Sequence, residues 1–148
     1  MDREPRAKFD ERISQQFRAL DLPTGTVLDA EYVGPRGGHA PTAYIFDMLA
    51  WDGTWIADLP YEERWRRCCN LILPTCGIIH LAHTVVSDFI GLFDRLKAAW
   101  VADGCGMSLT EGIVVKRRDG TAALDHDKRR KARWLHKCKF RDITSRRF

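Results

Sequence analysis

Glu111-Gly112-Ile113-Val114-Val115-Lys116-Arg117 sets an acid and a lysine at opposite ends of a short, β-branched, apolar run. Valine and isoleucine suit a pleated surface and Gly112 admits close backbone approach, so the run predicts a strand. On one strand, alternation sends the side chains of Glu111 and Lys116 to opposite faces, each free to serve a different partner. A second run, Trp134-Leu135-His136-Lys137-Cys138-Lys139-Phe140, carries two lysines that alternation places on one face of another strand. Two aligned ammonium groups make a phosphate site. Upstream, Leu28-Asp29-Ala30-Glu31-Tyr32-Val33 and Tyr44-Ile45-Phe46-Asp47-Met48-Leu49 are strand-like runs, each with an acid, the second with an aromatic beside it. Acid, aromatic, acid and lysine pair, in that order, suggest a nucleotide and a metal.

In residue type and order these four runs resemble the nucleotidyltransferase (adenylation) domain of ATP-dependent DNA ligases. They are less similar to the matching domain of RNA ligases and mRNA capping guanylyltransferases. Leu28 to Val33 matches the family's "LDGEL" with Ala30 in place of glycine, and Phe46-Asp47-Met48-Leu49 matches "FDLL". Glu111 to Lys116 matches "EGIVVK", and Trp134 to Lys139 resembles "WLKxK" with His136 inserted before the Lys-x-Lys pair. Each motif is short, and their specificity comes from four in order over residues 28 to 140.

The resemblance implies an α+β fold of antiparallel β-sheets with helices packed outside, a ligase adenylation-domain (ATP-grasp-like) core lacking its N-terminal part. It implies a partial nucleotidyltransferase domain over residues 1–148, its motif-bearing core at 24–140, without the family's OB-fold domain. ATP and Mg²⁺ are the implied cofactors. Nicked DNA is the implied partner, DNA over RNA because Trp134-Leu135 leads into the lysine pair. Adenylyl transfer is mostly positioning and charge neutralisation, and the resemblance sets Lys137 and Lys139 beside the α-phosphate as the catalytic pair. Glu111 is the implied metal ligand, since Mg²⁺ prefers carboxylate and phosphate oxygens together. Glu31 meets the ribose side of the nucleotide, Phe46 stacks on the base and Lys116 approaches the nucleotide. The competing readings are two exposed strand lysines for Lys137 and Lys139 and a core aromatic for Phe46.

The family's nucleophile is the lysine of a "KxDGxR" motif upstream of "LDGEL". Here Lys8-Phe9-Asp10-Glu11 is the candidate, with Glu11 in place of glycine, Ile13 in place of arginine and only 23 residues between Lys8 and Glu31. Phe9, Ile13, Phe17 and Leu20 recur at helical spacing, which makes Lys8 a solvated lysine at the start of a helix. The expectation is a ligase domain that does not adenylate itself as it stands. A non-catalytic nucleotide- or nucleic-acid-binding relative is the alternative.

A chain of 148 residues, 45% hydrophobic and 30% charged, is one domain with a real core. No apolar run reaches membrane-span length, and Asp2, Arg3, Glu4 and Arg6 leave no secretory signal at the start, so a cytoplasmic monomer is expected. The cysteines Cys68, Cys69, Cys76, Cys105 and Cys138 contain no CxxC pair and are expected as reduced thiols. Cys76, His80 and His83 are spaced to clamp zinc on a helix, with Cys69 as a fourth ligand; the surrounding Ile78, Ile79, Leu81 and Ala82 instead favour a buried helix whose polar groups are satisfied in the core. The net charge of +4 is uneven, because residues 116–148 hold 13 Lys/Arg against four Asp/Glu. That basic segment is either a solvated face or a phosphate track along nucleic acid.

Taken in order, a helix from Lys8 to Leu20 is ended by Asp21 and Pro23. Thr42 to Leu49 pairs antiparallel with residues 28 to 33 across a Gly/Pro loop, and Trp51-Asp52-Gly53 is a turn. Pro60 starts a helix that runs to Leu73 with acids in its first turn. A helix from Ser87 to Val101 carries Phe89, Leu92, Phe93, Leu96 and Trp100 on one stripe and stops at Gly104. Arg117 to Gly120 is a turn, and a polar link follows from Asp125 to Arg133.

Overall fold

The computed structural model describes residues 11–34, 40–71, 73, 77–103, 110–122 and 134–140. Lys8, Cys76, Gly104, Cys105 and the 125–133 link lie outside them.

Strands β1 (Val27–Val33) and β2 (Thr42–Trp51) form the expected antiparallel pair. Asp52 and Gly53, at φ 49° and 71°, turn β2 directly into β3 (Thr54–Trp55), with Trp51 opposite Thr54. Two residues of positive φ match the twist of the flanking strands, which is why Asp-Gly serves here. The β1–β2 register shifts twice: Leu28 faces Met48, Asp29 faces Asp47 and Ala30 faces Ile45, so Phe46 is left without a partner in β1. This bulge decides the geometry of the site below.

Helix α1 (Glu11–Arg18) occupies the predicted first helix, and α2 (Tyr61–Cys69) follows Pro60 but ends four residues before Leu73. Strand β4 (Ile79–Leu81) then joins the far edge of β2 in parallel, pairing Ala43 with Ile79, Tyr44 with His80 and Ile45 with Leu81. This corrects two expectations: the first sheet is mixed rather than purely antiparallel, and His80 sits on a strand, not a helix. The physical reason is the alternation within Ile79-His80-Leu81, where Ile79 is fully buried while His80 is exposed.

Helix α3 (Phe89–Ala102) is capped by the Asp88 side chain, which accepts from the Gly91 N–H. Its Phe93 and Trp100 rings lie 5.3 and 6.0 Å from that of Phe140, centroid to centroid. They close over the second sheet, in which β5 (Gly112–Lys116) pairs antiparallel with β6 (Leu135–Lys139). The core gathers Ala43, Ile45, Met48, Ile56, Cys68 and Ile79, with Ile13, Phe17 and Leu20 at the helical N-terminus packed against it. The arrangement is α+β, with mainly antiparallel sheets. Among the described residues no helix is long and apolar enough to cross a membrane.

Candidate functional site

Residues directly opposite on antiparallel strands share a face. On the second sheet Gly112 faces Lys139, Val114 faces Lys137 and Lys116 faces Leu135, so Lys116, Lys137 and Lys139 all lie on one side. Only glycine fits at 112, because a Cβ there would stand 2.0 Å from the Cys138 carbonyl oxygen and 2.8 Å from the Lys139 Cα. Glu111 precedes the strand; its backbone carbonyl accepts from the Phe140 N–H and its Oε2 lies 3.5 Å from Lys139 Nζ. Glu111 and Lys116 serve different partners, but Glu111 lies outside the strand and reaches Lys139 on the same face as Lys116, so alternation does not separate them.

Lys116 crosses from the second sheet to the first. Its Nζ donates to the Phe46 carbonyl at 3.1 Å and lies 4.0 Å from Asp47 Oδ2. Around the ammonium stand the rings of Tyr61 at 4.1 Å, Phe46 at 4.8 Å and Trp134 at 5.5 Å. The bulge explains the carbonyl: having no partner in β1, Phe46 offers its oxygen to Lys116 and also to the Tyr61 hydroxyl, at 3.2 Å. Burial pushes the Lys116 ammonium below the usual lysine range, partly offset by Asp47 and Asp29.

Behind Lys116 lies a buried ion pair that the sequence reading did not single out. Arg64 of α2 is wholly buried and grips Asp47 with two bonds, Nε to Oδ1 at 2.8 Å and Nη2 to Oδ2 at 2.9 Å. Its Nη1 donates to the carbonyls of Ala57 and Gly120, each at 3.2 Å, and of Leu59. Asp47 Oδ1 also accepts from the Met48 N–H at 2.8 Å. Two charges survive burial here because nearly every polar atom is satisfied. The available signal was Arg64 and Cys68 at i and i+4, which share one face of α2 and are its two buried residues.

Asp29, opposite Asp47, joins the sheets electrically. Burial first and the Asp47 carboxylate second push its carboxyl up, while Lys116 and Lys137 pull it back. Glu31, two residues on, is exposed and stands opposite Tyr44. Phe46 and Lys116 are therefore in contact, and Lys137 is within electrostatic reach of Asp29. Glu111 and Lys139 form a separate exposed pair at the other end of β5, about 13 Å from Lys116 at the strand rise of about 3.3 Å per residue.

Among the described residues no three His, Cys, Asp or Glu side chains gather around a point that a metal ion would fill. The zinc set does not form on a helix, and His80 instead meets the Tyr44 ring. Glu111 offers one exposed carboxylate beside an ammonium, a donor set that suits Mg²⁺ only when substrate phosphates complete the shell. The chain matches no family model and no curated protein.

Proposed function

We propose that this chain is part of the adenylation domain of an ATP-dependent polynucleotide ligase, binding ATP with Mg²⁺ and acting on nicked DNA. The observation that carries the reading is the meeting of two motif-like runs on one ammonium. Lys116 of the "EGIVVK" run reaches the ring and carbonyl of Phe46 and the carboxylate of Asp47 in the "FDML" run. Asp29 and Lys137, from the remaining two runs, interact electrostatically, and Asp29 does so with Lys116 as well, which adds support.

In this reading Phe46 stacks on the base, Glu31 meets the ribose, and Lys137 and Lys139 neutralise the α-phosphate. Glu111 holds Mg²⁺ against the phosphate oxygens. Lys116, enclosed by its aromatic surround, ties the two sheets together beneath the nucleotide. The sequence contains no "KxDGxR", so a covalent lysine–AMP intermediate is not expected from this chain alone. That same feature favours the second reading, a non-catalytic nucleotide- or nucleic-acid-binding relative.

Pre-adenylated nicked DNA separates the two, and labelled ATP tests for a nucleophile within the chain. The ligase reading predicts no protein–AMP adduct, but slow Mg²⁺-dependent sealing of the pre-adenylated nick as the 3′-hydroxyl displaces AMP. Absence of sealing under all conditions would favour the binding relative. Changing Lys8 to Ala leaves both results as they are; an adduct formed by wild type and lost in Lys8→Ala would contradict this and make Lys8 the nucleophile.

A further inference from the structure

The register of the first sheet sets three side chains in a row: Glu31 of β1 opposite Tyr44 of β2, and Tyr44 beside His80 of β4. Their neighbours along β2 and β4, Ala43, Ile45 and Ile79, are buried in the core, so alternation turns the row away from it. Glu31 and His80 are exposed and Tyr44 is partly so. The Tyr44 and His80 rings lie 5.7 Å apart, centroid to centroid, tilted by 32°. Phe46 is two residues along β2 from Tyr44, with the Lys116 ammonium over its ring. Aromatic rings thus continue from Phe46 along the strand to Tyr44 and across the sheet to His80. The ligase reading uses neither of the last two.

Exposed rings on a sheet face take up unpaired bases, because every base has a face that stacks. The charges around the row set the direction of a bound strand. Glu31 repels phosphate but accepts hydrogen bonds from a base amino group or a ribose hydroxyl, whereas Lys137 and Lys139 lie on the side of the second sheet from which Lys116 reaches Phe46 of the first. Bases over the first sheet and phosphates toward the second satisfy both. We propose that Tyr44 and His80 form a stacking subsite for an unpaired base of a nucleic-acid strand, next to the nucleotide at Phe46. The proposal rests on the reading of the cleft as a nucleotide site.

The test is fluorescence anisotropy with a labelled oligothymidylate of about eight nucleotides, a length within the range that one small binding domain covers. ATP binding by calorimetry is measured in parallel on the same variants. Tyr44→Leu and His80→Ala should each weaken oligonucleotide binding about tenfold, in line with the loss of one base–aromatic stack. Tyr44→Phe should bind as wild type, since the ring and not the hydroxyl does the stacking, and ATP affinity should be unmoved by all three changes. Oligonucleotide affinity equal to wild type in Tyr44→Leu and His80→Ala, or as weak in Tyr44→Phe as in Tyr44→Leu, would overturn the subsite. ATP binding without oligonucleotide binding also overturns it and leaves the ligase reading standing. Tyr44-dependent oligonucleotide binding without ATP binding supports the subsite and removes the ligase reading, and binding of neither ligand removes both.

Discussion

Arg64 ties more of the molecule together than any other described side chain, since it bonds β2, the segment after β3 and the turn at Gly120 at once. Arg64→Ala leaves the Asp47 carboxylate buried without its main partner, and a loss of about 3–5 kcal/mol is expected from urea unfolding. An Arg64→Met, Asp47→Leu double change should cost less than Arg64→Ala alone, because it buries no unpaired charge. Cys68, buried on the same helix face, makes a pH prediction. Burial, helped by Asp47, pushes its thiol from 9.0 up to about 12. Between those values the unfolded chain releases the proton and the folded one keeps it, so the contribution is whole below pH 9 and is lost as pH rises toward about 12. The difference in stability between wild type and Cys68→Ala should therefore shrink over that window, read from urea midpoints at a series of pH values. Sequence hid Arg64 because arginine belongs on surfaces, and Arg66 beside it has the exposure that rule expects, while Arg67 is half-buried. By contrast, Lys116 and Phe46 stand in motif-like runs that single them out, and the structure brings the two into contact.

At the scale of elements, the β1–β2 pair and the starts of α2 and α3 were legible from local chemistry. Asp52-Gly53 turned where positive φ was needed, and Pro60 opened α2. The 76–83 region misled for a physical reason: a three-residue strand is too short for alternation to stand out, and its parallel partner lies more than thirty residues earlier in β2. The bulge at Phe46 was equally invisible, because register shifts depend on what the neighbouring strand offers. Gly112 is where the second sheet is most exposed to a single change. Gly112→Ala would drive a Cβ into the Cys138 carbonyl, part the strands and separate Lys139 from Glu111. A loss of at least about 1–3 kcal/mol is expected, measured by thermal unfolding together with weaker hydrogen-exchange protection at residues 112–116.

For the whole molecule, the two sheets meet through a handful of polar and aromatic contacts centred on Lys116, which shares one face of the second sheet with Lys137 and Lys139. The sequence order links the four runs, and in the structure Lys116 meets Phe46 and Asp47 while Lys137 interacts electrostatically with Asp29. It did not foretell that Glu111 and Lys139 would pair with each other at the far end of β5, a consequence of Gly112 lying opposite Lys139. If that pair works on phosphate, an incoming anion must draw Lys139 away from Glu111 and leave the carboxylate for the metal. Isothermal calorimetry of ATP with Mg²⁺ against wild type and a Lys137→Ala, Lys139→Ala double variant tests this directly. Two lost charge-assisted contacts of about 1.5–3 kcal/mol each predict binding weaker by about a hundredfold or more in the variant, and weaker binding by wild type when Mg²⁺ is withheld. Equal affinity for the two proteins would contradict the assignment of this cleft to a nucleotide.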